Sequence, residues 1–175
     1  MHTHDILTIA AAIVPDRTAI TFDERQTTFG ELAARANRLA NALAARGVAA
    51  GDRVAVVNVN TPQHIELYFA AARLDAIYVP LNYRDRVEEL RFPLEHTAPK
   101  LIMSGARYVP LIDELNPTSD TLIVVDGPAS EGWLAYDDVL VQGAEDELRF
   151  PEGDPENTAV LLFTAQAVDH SFTPG

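Results

Sequence analysis

The residues able to move a proton, hold a metal or grip an anion are five histidines, 26 carboxylates and 13 basic side chains, spread over 175 positions without any cysteine. Thiolate nucleophiles, thiolate ligands and disulfides are therefore excluded. Among the histidines only His2 and His4 cluster, in His2-Thr3-His4-Asp5. That is short of the three or four oriented ligands a metal site needs, and such a tail reads as disordered rather than metal-binding. His64 falls in the first turn of an apolar helix and reads as a structural or exposed histidine rather than a general base. Neighbouring acids, Glu88-Glu89 and Asp137-Asp138, lie in polar stretches where nothing local would drive their two pKa values apart, so they read as surface. No Gly-x-Gly-x-x-Gly follows a strand, and there is no Gly-Lys-Ser/Thr phosphate loop and no Gly-x-Ser-x-Gly elbow.

Composition narrows the field further. A net charge of −13 argues against nucleic acid phosphates and anionic membrane surfaces as partners. Residues 6–14 are apolar, but no Lys or Arg precedes them and they are too few to span a bilayer, which predicts neither signal peptide nor transmembrane segment. With 47% hydrophobic and 22% charged residues, a globular protein is expected, and the cysteine-free chain suits a reducing cytoplasm.

Any site must be positioned by alternating helices and strands. Thr28 with Glu31 forms a capping box, and Phe29, Leu32, Ala36, Leu39 and Leu43 recur on one stripe of the helix that it starts. Gly47 suits a left-handed close to that helix, and Gly51-Asp52 turns the chain into a core strand over 54–57. Before this unit stand a helix over 6–14 and a hairpin about Asp23-Glu24-Arg25. After it, Thr61-Pro62 starts a helix covered on most sides, and 76–81 reads as a second core strand. Asp85 with Glu88 caps a helix to about His96, which Pro93 should kink or shorten. Strands over 100–103 and 122–125 flank a helix over 108–115; 129–148 reads as loop plus a short helix, 150–157 as a linker and 158–164 as a last strand. The pattern predicts an α/β fold, a mostly parallel sheet flanked by helices in three layers with right-handed crossovers.

These pieces, in this order, resemble the opening of the AMP-forming adenylating ligases, the superfamily of acyl-CoA synthetases. Pro15-Asp16-Arg17-Thr18-Ala19-Ile20 looks like that family's opening hairpin, Thr28-Phe29-Gly30-Glu31-Leu32 its first core motif, and Gly51-Asp52-Arg53-Val54-Ala55 its entry to the first core strand. Residues 72–82, from Ala72-Arg73-Leu74 to Pro80-Leu81-Asn82, resemble the next motif. Asn157-Thr158-Ala159-Val160-Leu161-Leu162-Phe163-Thr164 looks like the strand leading into the nucleotide loop. The resemblance implies a partial AMP-dependent synthetase N-terminal domain over 1–164 and a divergent tail over 165–175. For the intact family it implies ATP, Mg²⁺ and CoA as cofactors and a small carboxylic acid as substrate, a fatty or related hydrophobic one being expected.

Two departures bear on what this chain can do. Asp75 stands where the family has glycine, so a positive φ with a side chain's steric cost is expected there. After Thr164 the family continues with a glycine- and lysine-rich loop that wraps ATP phosphates, whereas residues 165–173 here hold neither glycine nor lysine and include Asp169. Of the family's nucleotide-binding positions only Thr164 carries over, at the threshold of that loop, and its plain alternative is a strand-end threonine. No catalytic or metal residue carries over. The expectation is an N-terminal fragment, truncated at the nucleotide loop, that binds none of these cofactors tightly, activates no acid alone, and self-associates through uncovered apolar surface. The alternative from another class is a non-catalytic binding or assembly module on the same scaffold.

Overall fold

Apart from a two-residue edge strand, the strands of the main sheet bury both of their faces, which is why the apolar runs are continuous rather than alternating. The computed structural model describes residues 2–146 and 157–163. In chain order these form α1 (Thr3–Ile13), a hairpin of β1 (Thr18–Phe22) and β2 (Arg25–Thr28), α2 (Phe29–Ala44), β3 (Arg53–Val57), α3 (Pro62–Arg73), β4 (Ile77–Pro80), α4 (Val87–Thr97), β5 (Leu101–Ser104), a 3₁₀ turn (Ala106–Tyr108) running into α5 (Val109–Leu115), β6 (Thr121–Val124), β7 (Leu134–Ala135) and α6 (Tyr136–Val141). The main sheet is parallel in the order β4-β3-β5-β6-β7.

Along β3, Val54 and Val56 face one core with Leu101, Met103 and Ile123, roofed by α2, α3 and α6. Ala55 and Val57 face the other with Val79, Ile102 and Val124, roofed by α4 and α5. This is the predicted three-layer α/β fold. A third, smaller cluster of Leu7, Leu32 and Ala36 joins α1 and the hairpin to α2.

Local signals behave as their chemistry requires. The Thr28 amide donates to the Glu31 carboxylate at 2.8 Å and the Glu31 amide to the Thr28 hydroxyl at 3.2 Å. Gly47 takes φ +83° three residues beyond α2, and Asp75 sits at φ +53°, as its glycine-like position predicts. His2, His4 and Asp5, expected in a disordered tail, instead start α1: the Asp5 carboxylate accepts from the His2 amide at 2.7 Å, and His4 Nδ1 lies 3.2 Å from the Ala72 carbonyl oxygen.

Four other expectations are corrected. α4 is capped one residue later than Asp85 and Glu88 would set it, with the Arg86 amide donating to Glu89 at 2.7 Å, because Asp85 is engaged by the Asn82 side chain. Pro93 does not shorten α4, which runs on to Thr97 with the proline buried. The stretch read as loop plus helix holds β7 as well, a two-residue strand too short for any periodicity. Conversely, the last strand is reduced, among the described residues, to one parallel bridge: the Tyr78 amide donates to Ala159 at 3.0 Å and the Leu161 amide to Tyr78 at 3.0 Å. Of the linker over 150–157, only Asn157 lies within the described residues.

Candidate functional site

β3 leaves the sheet through α3 on one face, while its neighbour β5 leaves through α5 on the opposite face. In open parallel sheets the carboxyl ends of two such strands part to leave a crevice, the usual ligand position. Asn58 fills this divide. Its Oδ1 accepts from the Val59 amide at 2.8 Å, and its side chain lies so close to Gly105, the residue after β5, that a β-carbon there would sit 2.3 Å from Oδ1. Glycine at 105 is therefore a packing requirement.

From this divide a crevice of about 700 Å³ extends over the end of β4. Asn58, Asn60, Thr61 and His64 supply its polar lining, from the β3–α3 loop and the first turn of α3. Pro80, Leu81, Asn82 and Tyr83 follow β4 along another side, Ile20 and Phe22 come from β1, and Leu162 and Phe163 from the bridged segment. Among the described residues no charged side chain lines it. Its rim is apolar and open, with Phe22 and Ile65 each 40% exposed and Leu162 67% exposed.

His64 Nδ1 lies 3.0 Å from the Tyr78 hydroxyl, joining α3 to β4. Burial lowers the His64 pKa, so the ring is neutral at pH 7, and burial pushes Tyr78 up to about 12, so it stays a phenol. With no carboxylate among the described residues of the crevice to orient the imidazole, the pair there is a hydrogen-bonding surface rather than a catalytic dyad. Three buried polar atoms on this lining, Asn58 Nδ2, Thr61 Oγ1 and His64 Nε2, have no hydrogen-bond partner among the described residues. Thr61 thus occupies the N-cap position of α3 without capping it through its side chain.

Thr164 lies outside the described residues; Phe163, which precedes it, is on the crevice wall. His2 and His4 stack on each other at 5.4 Å away from the crevice lining, His96 stacks on Phe92 and meets Phe163 of the crevice wall edge-on at 6.3 Å without itself lining the crevice, and His170 is outside the described residues. No group of three or more metal-ligating side chains occurs among the described residues, and none of their helices is long and apolar enough to cross a membrane. Glu88, Glu89, Asp137 and Asp138 are exposed, as expected of surface acids.

The reading from sequence missed Glu66. It is 2% exposed, accepts from Arg35 Nε of α2 at 2.7 Å and from the Tyr136 hydroxyl of α6, and so ties three helices together. Burial first, then the adjacent Glu66 charge, raises the Tyr136 pKa well above its ordinary value. An acid between Ile65 and Leu67 on a helix covered on most sides was the available signal.

Comparison with known proteins agrees with this architecture. A family profile described as AMP-binding enzyme matches residues 7–165. The chain is 34% identical over 157 residues to an indoleacetate–CoA ligase of Aromatoleum aromaticum, covering 89% of this chain and 31% of that protein. It is 34% identical over 155 residues to a long-chain-fatty-acid–CoA ligase of Thermus thermophilus, covering 85% and 28%. In structure it is similar to the N-terminal domain of FACL13 from Mycobacterium tuberculosis, with a TM-score of 0.80 and 28% identity over 95% of this chain and 42% of that one. It spans about a third of the length of the curated relatives it matches. The chain belongs to the AMP-binding enzyme family and matches the N-terminal region of AMP-forming acyl-CoA ligases.

Proposed function

We propose that this chain builds the first α/β subdomain of an acyl-CoA ligase and does not by itself activate an acid. The parent reaction in this reading joins a carboxylic acid to ATP, with Mg²⁺, to give an acyl-adenylate and pyrophosphate, and then transfers the acyl group to CoA. A fatty or related hydrophobic acid is the substrate we favour, since the relatives include a long-chain-fatty-acid–CoA ligase. The cytoplasm is the compartment in which such a cysteine-free chain would work.

The observation that carries the inactivity is the chemistry around Phe163. Three clustered phosphates need converging backbone amides and a cation. The described crevice offers no charged side chain, and residues 165–173 have no glycine to let backbone approach and no lysine to neutralise. The described residues do not fit a triphosphate or its Mg²⁺. Calorimetric titration with ATP and Mg²⁺ tests this: no saturable heat is expected, and a saturable isotherm would overturn it.

The open apolar rim favours one further reading, an assembly module that pairs with another copy or another protein through Phe22, Ile65 and Leu162. Co-purification of a stable complex would favour it over a chain that acts only as part of a ligase.

A further inference from the structure

We propose that the crevice at the ends of β3 and β4 is a binding site for an uncharged amide carried on an apolar body. This goes beyond the ligase reading and does not depend on it, because it rests only on residues within the described chain.

The polar part of the lining supplies both halves of an amide's needs. Asn58 Nδ2 can only donate, and it is left without a partner on a side chain that is 3% exposed. Its own Oδ1 is already used by the Val59 amide, and the close approach of Gly105 holds the side chain where it is. Thr61 Oγ1 accepts as well as donates, and it too has no partner. His64 Nε2 makes no hydrogen bond of normal geometry among the described residues, although the Asn58 and Val59 backbone lies near enough to the ring to raise its pKa against burial; it becomes a donor when the Tyr78 hydroxyl donates to Nδ1, and an acceptor when Nδ1 donates to Tyr78. An amide carbonyl takes the Asn58 donor, and an amide N–H takes Thr61 or His64. Buried polar groups left unpaired are costly, so a ligand that pairs them gains more than its own hydrogen bonds.

Charge decides between an amide and an anion of the same shape. A carboxylate or phosphate entering the crevice would lose water without meeting a cation among the described residues, because no described Lys or Arg lines it and His64 is neutral. The chain's net charge of −13 opposes an anion further. The remaining walls, Ile65, Pro80, Leu81, Leu162 and Phe163 with Phe22 at the mouth, fit an aromatic or aliphatic body.

Phenylacetamide and phenylacetate differ in little but charge and make the test. Titration of the whole chain, followed by heat or by amide chemical shifts, is expected to show one saturable site for phenylacetamide and at least about tenfold weaker binding of phenylacetate. Thr61→Val and His64→Phe are each expected to weaken the amide about fivefold, the value of one hydrogen bond, with circular dichroism unchanged. The comparison of the two probes needs no variant, so it stands even if a substitution impairs folding. Phenylacetate binding as tightly as the amide, no saturable amide binding, or a folded Thr61→Val/His64→Phe double variant binding the amide like the parent chain would overturn the proposal.

Discussion

Asp75 carries a β-carbon at φ +53°, a conformation that costs an ordinary residue about 1 kcal/mol relative to glycine. Against this stands one exposed hydrogen bond, from Asn157 Nδ2 to its carboxylate at 2.6 Å. Exposed polar contacts contribute little, so Asp75→Gly is expected to stabilise the domain by close to 1 kcal/mol in denaturant melts; a less stable variant would show that the Asn157 contact outweighs the strain. His64 gives a pH signature. Its folded pKa is lowered by burial, so below its ordinary value of about 6.5 the unfolded chain binds the extra proton first. Stability should therefore fall as pH drops through about 6.5, levelling off below the folded value, and His64→Phe should flatten that slope. Equal slopes in the two proteins would rule this out. The Asp75 conformation was legible because resemblance placed a glycine there. The His64–Tyr78 pair was not, because α3 and β4 bring together residues 14 apart whose spacing carries no signal.

At the scale of elements, what could be read was local. The Thr28–Glu31 box sets the start of α2 from four consecutive residues, and Thr28→Ala is expected to cost about 1 kcal/mol by thermal melting. α4 shows how narrow that legibility is: two cap positions one residue apart compete, Asp85 with Glu88 and Arg86 with Glu89, and only Glu89 reaches back to the cap. β7 and the bridge at Val160 depend on partners far along the chain, so neither alternation nor length reveals them. The same holds for Glu66, whose partners come from α2 and α6. Removing its cation leaves a buried carboxylate facing only a phenol. Arg35→Leu is expected to destabilise by about 3 kcal/mol, the low end for a broken buried pair, since Arg35 is 28% exposed. A loss under about 1 kcal/mol would mean that solvent already screens the pair.

The whole molecule combines a charge of −13 with apolar side chains exposed at one end of the sheet, Phe22, Ile65 and Leu162 among them. Repulsion acts over about 8 Å at physiological salt, whereas apolar contact is gained wherever two rims meet. Sedimentation at rising concentration is expected to show association that strengthens with salt, and a concentration-independent monomer would count against it. The α/β class and its layering were legible from continuous apolar strands between amphipathic helices; the crevice was not, since it arises where neighbouring strands send their connections to opposite faces. The central claim is that this subdomain has the family's scaffold without its phosphate chemistry. Its most direct test is exchange of labelled pyrophosphate into ATP by the purified chain, with Mg²⁺ and a panel of fatty and aromatic acids. Exchange no faster than the protein-free blank is predicted with every acid; acid-dependent exchange above that blank would show that residues outside a glycine- and lysine-rich loop perform adenylation, contradicting the account.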